Sequence, residues 1–348
     1  MKLRKTLSIL LTVALGSAFV GCSTGTKASD SSSSKPSAIR IAYFPNITHS
    51  QGLAGKENGT FKKDLGDKWN IEWKQFNAGS SEVEALLAGA VDIGYIGPGP
   101  AINAYTKSKG DVVIIGGASD AGAILVARKG VDIKSAKDLD GKKVVVPQFG
   151  ATQDLTLRNL LSENGLKDKT KGGTVEIIQA DNPDIQTLFD KASADAALVP
   201  EPWGSRLVKQ SGAKVVLDFD KIWRDGNYPT TVIVARKDFL KAHPDAVESF
   251  LKAHVELTDY INKNNADGKK LVNKQIGELT KKTLTDDILD SSFQRLTITN
   301  NPEKDAIKDM ITLSINAGFI KEKPDTAKLF DLEILNKVLK AKGEQQIK

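Results

Sequence analysis

The chain has 348 residues, a formal charge of +6, 3 histidines and 1 cysteine. One cysteine excludes a disulfide framework, an iron–sulfur cluster and a Cys-based zinc site, and His49, His243 and His254 are too few for a histidine-rich metal centre. The length implies two domains, or one with a large insertion, and 40% hydrophobic against 26% charged residues is an ordinary globular balance.

Residues 1–21 begin with Lys2, Arg4 and Lys5, followed by an apolar run from Leu7 to Val20. That is a signal peptide, too short and wrongly flanked to span a membrane. It ends in Phe19-Val20-Gly21-Cys22, which is similar to the lipobox of bacterial lipoproteins, with Cys22 as the lipidated residue. Cleavage removes three cations and takes the formal charge from +6 to +3. A charge so near neutrality argues against a nucleic-acid binder. Residues 22–37 are Ser-rich without apolar periodicity and read as a flexible tether.

From Ala38 onward, short β-branched or aromatic runs alternate with helical periodicity. Strands are expected at Ile39–Phe44, Ile71–Phe76, Asp92–Ile96, Val112–Gly116, Ile124–Ala127, Lys143–Val146, Val175–Ile178, Ala196–Val199, Val215–Leu217 and Val232–Ala235. Helices are expected at Ser81–Gly89, Pro100–Lys109, Gln153–Asn164, Ile185–Ala192, Gly204–Gln210 and, in a strand-free tail, at Lys237–Ala242, Pro244–Asn264, Thr285–Phe293, Pro302–Ala317 and Asp331–Ala341. The alternation predicts an α/β protein with mostly parallel sheets. AILVARKG at 123–130 and TVIVARKD at 231–238 read as two similar strands crossing side by side between two lobes. Lobe 1 is then 38–125 plus 232–348, and lobe 2 is 126–231.

Ligands of open α/β sheets lie beyond the carboxyl ends of the strands. The turns there carry Asn46 and His49; Gly79, Ser80 and Ser81; Gly97, Pro98 and Gly99; Gln148, Gly150, Thr152 and Gln153; and Glu201 and Trp203. Several open helices. Ser81 with Glu84 matches a capping box, Pro100 suits a first turn, and Thr152 suits an N-cap. Helix starts offer free N–H groups to a small anion, and glycine lets backbone approach it. Trp203 in a Pro-bounded loop is suited to form a ligand wall. The alternative is a Trp packed under its own loop. Glu201 could meet a ligand amine or fix the loop. His49 could donate to an anion or bond its own turn. His243 and His254, on helical segments, read as structural. No GxSxG, HExxH, CxxC or GxxxxGK[ST] motif occurs, and no nucleophile has an evident base. The balance favours a binder over an enzyme.

These stretches resemble a known family. IRIAYFPNITHSQGLAG (39–55), FNAGSSEVEALLAGAVDIGYIGPGPAINAY (76–105), DLDGKKVVVPQFGATQDLTLRNLL (138–161), DAALVPEPWGSRLV (195–208) and TTVIVARKDFL (230–240) are similar to the solute-binding proteins of ABC importers for nitrate, taurine and aliphatic sulfonates. The resemblance implies a two-lobed periplasmic-binding-protein fold of type II that closes on its ligand. It implies a permease and an ATPase as partners, no cofactor and no metal, and anchorage of a monomer by lipid on Cys22 at the outer face of the cytoplasmic membrane. The five strand-end turns would supply the anion contacts, and Trp203 a wall. None of them holds Arg or Lys, so the donors would be neutral. Glu201 would remain for the amine of a taurine-like zwitterion. A sulfonate or taurine is the first expectation. Nitrate or bicarbonate and an aromatic, thiamine-precursor-like heterocycle are the alternatives, with a pyrimidine-synthase-like enzyme as a distant one.

Overall fold

A computed structural model describes residues 37–348 of the chain. The leader, Cys22 and the Ser-rich stretch up to residue 36 lie outside the described residues. The chain enters through β1 (Ser37–Tyr43), α1 (Ser50–Asn58), α2 (Thr60–Leu65), β2 (Trp69–Gln75), α3 (Gly79–Leu87), β3 (Ile93–Ile96), α4 (Pro98–Lys107) and β4 (Val112–Ala121). It continues with β5 (Ala123–Ala127), β6 (Lys143–Val146), α5 (Thr152–Glu163), β7 (Glu176–Gln179), α6 (Asn182–Asp190), β8 (Ala196–Pro200), α7 (Trp203–Gln210) and β9 (Lys214–Leu217). It returns through β10 (Pro229–Arg236) and ends with α8 (Lys237–Ala242), α9 (Pro244–Lys263), α10 (Asn265–Thr280), α11 (Asp286–Phe293), β11 (Leu296–Ile298), α12 (Lys304–Ala317) and α13 (Glu333–Ala341).

Two sheets result, in the orders β11-β4-β10-β3-β1-β2 and β7-β6-β8-β5-β9. Each supports one lobe. The β1–β2, β1–β3, β6–β7 and β6–β8 pairings are parallel and the others antiparallel, so the sheets are mixed rather than mostly parallel. Central strands such as β6 (KVVV) and β8 (AALVP) are apolar nearly throughout because helices cover both faces.

The expected side-by-side crossing needs correction. β5 pairs with β8 and β9 in the second sheet, while β10 pairs with β3 and β4 in the first. AILVA and TVIVA are alike because each lies buried inside a sheet, and the sheets differ. The strands that run together across the junction are β4 and β10, and Gly122, at φ +74°, turns the chain from β4 into β5.

Four elements, α1, α2, α10 and β11, escape the periodicity. α1 (SQGLAGKEN) has no polar face from Ser50 to Gly55, because it is buried all round. A Cβ at Gly52 would stand 3.1 Å from the Tyr95 ring and one at Gly55 2.4 Å from Leu257, so glycine here permits close packing. α10 hides behind Gly268 and Gly277 for the same reason, pressed on Ile261 and Thr283. β11 is three residues whose one strand partner is β4, a long-range contact that local propensity does not encode.

Candidate functional site

The strand-end turns of both lobes meet around a cleft of about 40 Å³. Its lining includes Phe44, Asn46, Thr48 and His49 from the turn after β1, and Asn77, Ala78 and Gly79 from the start of α3. Gly97, Pro100 and Thr230 complete the first lobe's share. The second lobe gives Pro147, Gln148, Ala151, Thr152, Gln153, Asn182 and Pro200. No Lys, Arg, Asp or Glu is among these residues. The first turns of α3, α4, α5 and α6 all reach this wall, so free backbone N–H groups and helix dipoles supply its positive potential.

His49 is 2% exposed and stacks on Phe44 with ring centroids 4.7 Å apart. Its Nδ1 accepts the Phe44 backbone N–H at 3.3 Å, which leaves the ring proton on Nε2. Burial pushes its pKa down to about 3, so the ring is a neutral donor near pH 7. Asn46 is held from the other lobe, its Oδ1 accepting Trp203 Nε1–H at 2.8 Å.

Ser80, Pro98, Gly99 and Gly150 lie outside the wall, where the lobes meet. Ser80 N–H donates to Gln148 Oε1 at 2.7 Å, and Gln148 Nε2 donates back to Ser80 Oγ. Gly99 N–H points to Thr152 Oγ1 at 3.4 Å. A Cβ on Gly99 would stand 2.8 Å from the Gly150 carbonyl oxygen and 3.0 Å from the Thr152 nitrogen, so glycine allows the lobes to meet here. Gly150, at φ +73°, donates its N–H to Asp154 at 2.8 Å. Pro98 opens α4 beneath this contact, in its buried first turn.

Four expectations change in detail. α3 starts two residues before Ser81, with Ala78 as N-cap, so the Ser81 capping box does not form and Ser81 faces solvent. Ala151, not Thr152, is the N-cap of α5; Thr152 is its first helical residue. Trp203 packs with Ile124 and Val199 in the second lobe's core, below Arg206 at 4.8 Å, and is absent from the cavity wall. Glu201 is fully buried, and its carboxylate accepts Ser205 N–H (2.9 Å), Ser205 Oγ–H (3.0 Å), Ser292 Oγ–H (3.1 Å) and Arg295 (3.1 Å). It has no capacity left for a ligand amine.

Asn182 and Thr230 are lining residues that sequence reasoning passed over. Asn182 had a readable signal, since QADNP separates an expected strand from an expected helix as the other turns do. Its Oδ1 is buried without a hydrogen-bond partner among the described residues. Among the described residues no cluster of His, Cys, Asp and Glu could hold a metal, and no helix is long and apolar enough to cross a membrane.

The sequence matches the model of the NMT1-like family over residues 32–277. The chain belongs to that family. Relatives of this NMT1-like protein include the taurine-binding periplasmic protein of Escherichia coli K12, 32% identical over 61% of this chain and 63% of its own. A putative aliphatic sulfonates-binding protein of the same organism is 28% identical over 56% of this chain and 59% of its own. The matched region thus spans less than two thirds of these curated relatives. In structure, the NMT1-like chain is similar to the alkanesulfonate-binding protein of Xanthomonas axonopodis pv. citri bound to MOPS (TM-score 0.72, 16% identity, 86% of this chain and 100% of that one). It is also similar to the periplasmic nitrate-binding protein of Synechocystis PCC 6803 (TM-score 0.76, 17% identity, 88% of this chain and 89% of that one). These likenesses establish the two-lobed α/β fold of periplasmic binding proteins.

Proposed function

We propose that this NMT1-like protein is the extracytoplasmic solute-binding component of an ABC importer. It captures a small organic monoanion, an aliphatic sulfonate first, between its lobes and hands it to a permease driven by an ATPase. The observation that carries this reading is the cavity wall: helix starts from both lobes, His49 as a neutral donor, and no charged side chain. Such a wall stabilises one negative charge through fixed dipoles. The names of the relatives supply the sulfonate class. Export as a lipoprotein through Cys22, a monomeric state and the lack of catalytic activity belong to the same proposal, as do the lobe boundaries near residues 125 and 231.

A nitrate-sized ligand is the second reading, favoured by the small cavity of about 40 Å³. The heterocycle reading loses its support, because it leaned on Trp203 as a wall and Trp203 is packed away. Thermal melting with ethanesulfonate, butanesulfonate, taurine, nitrate, bicarbonate, sulfate and a hydroxymethylpyrimidine tests the choice. A ligand at a hundred times its Kd adds about 2.7 kcal/mol, a rise of roughly 5–10 °C. A rise with a sulfonate and none with nitrate or sulfate is the expected result. A rise only with the heterocycle would overturn the anion reading.

A further inference from the structure

The cavity wall contains no carboxylate, and two acids that flank lining residues have partners of their own. Glu201 spends its oxygens on Ser205, Ser292 and Arg295. Asp154 accepts the Gly150 N–H at 2.8 Å and Arg158 Nε at 2.9 Å. Asp181 precedes a lining residue but is not itself in the wall. An ammonium carried into such a space would lose its water without meeting an anion, a penalty that far exceeds the loss of one neutral hydrogen bond. The same helix starts that attract the anionic end repel a cation. The unpartnered carboxamide oxygen of Asn182, 5% exposed, offers a neutral acceptor that suits a hydroxyl at the far end instead.

We infer that this cleft is a charge filter: it takes sulfonates whose far end is uncharged and rejects zwitterionic aminosulfonates, with Asn182 as the specificity-determining residue at the uncharged end. The inference rests on the sulfonate reading above and divides that class in two. Its substrates are alkanesulfonates and hydroxyalkanesulfonates, and taurine lies outside them although a relative is named for it.

Calorimetric titration of the purified protein with ethanesulfonate, 2-hydroxyethanesulfonate and taurine tests this, since the three ligands differ only at the far end. Taurine should bind at least ~30-fold more weakly than either of the others, as expected for an unpaired buried charge. Asn182→Asp places a carboxylate in the wall and should reverse the order, gaining taurine and losing ethanesulfonate. Asp181→Asn should leave all three affinities unchanged. Taurine binding as tightly as ethanesulfonate to the unmodified protein would overturn the filter while leaving the sulfonate reading in place. Loss of taurine binding in Asp181→Asn would overturn it too, by showing that acid to be the amine's partner. Failure of all three to bind would overturn the sulfonate reading, and the filter with it.

Discussion

Two of the regions where the lobes touch have opposite chemistry. Around the cavity every contact between them is neutral: Ser80 with Gln148, Gly99 with Thr152, Asn46 with Trp203. Behind it, buried Glu201 meets Ser292 and Arg295, Arg295 Nε also reaches Asp218 at 2.7 Å, and Lys209 pairs with Asp287 at 3.2 Å. A neutral hydrogen bond is worth about 1 kcal/mol net and is readily exchanged for one to ligand or water. A buried charge cannot be left unpaired so cheaply. The rear contact therefore sets which surfaces face each other, and the front contact is free to respond to a solute.

The sharpest way to break this contrast is Arg295→Ala. It strips the cation from a fully buried Glu201 and should cost about 3–5 kcal/mol of stability, read by denaturant melting. Burial raises the Glu201 pKa against the pull of Ser205 and Arg295, so Glu201→Gln should cost much less and leave ligand preference unchanged. If Arg295→Ala melts like the parent, the rear contact is no more binding than the front.

Gly99→Ala probes the front alone. The added methyl meets backbone of the opposite lobe, so closure suffers and folding does not. An affinity loss of tenfold or more, about 1.4 kcal/mol, with an unchanged ligand-free melt is expected. Gly79→Ala is the useful contrast, because its Cβ would stand 2.3 Å from Pro100 within the same lobe, where folding itself should suffer.

Proton linkage separates the regions again. His49 and His254 both have folded pKa values of about 3, through burial. The unfolded chain therefore takes up protons that the folded chain excludes as pH falls from about 6.5 towards 3, and each histidine then costs up to about 1.4 kcal/mol per pH unit. Asp120, raised to about 8 by burial and by Glu303, acts oppositely, losing stability as pH rises from about 4 to 8. His49→Gln should soften the acid limb of a melting-temperature profile. Sulfonate affinity should be flat from about pH 5 to 9, since His49 stays neutral there and a sulfonate does not titrate. An affinity that rises as His49 protonates would remove the neutral-donor argument. Trp203→Phe deletes the bond to Asn46 and leaves part of the second lobe's core unfilled, and should cost about 1–3 kcal/mol in stability.

Much of this architecture was legible because strand-end turns announce themselves. IAYFPN, YIGPGP and VVVPQFG each end an apolar run with residues that stop a strand and open a helix, and the structure brings all three to one cavity. Direction within a turn was not legible. Ser81 and Ser80 are adjacent, yet one faces solvent and the other bonds Gln148, because the helix starts at Gly79 rather than at Ser81. Partners distant in the chain were equally hidden. Nothing in EPWGS announces that Arg295, from a tail read as wholly helical, will consume Glu201. The mixed sheets follow from the same limit, since strand spacing does not record that β10 returns antiparallel between β3 and β4.

The indole of Trp203 is the only one of the 4 tryptophans whose N–H is bonded to a turn of the opposite lobe. Parting the lobes breaks that bond and offers the ring edge to water, which shifts indole emission to longer wavelength. The protein thus carries its own optical gauge of lobe separation, and a variant lacking Trp69, Trp73 and Trp223 would report solute capture by colour alone.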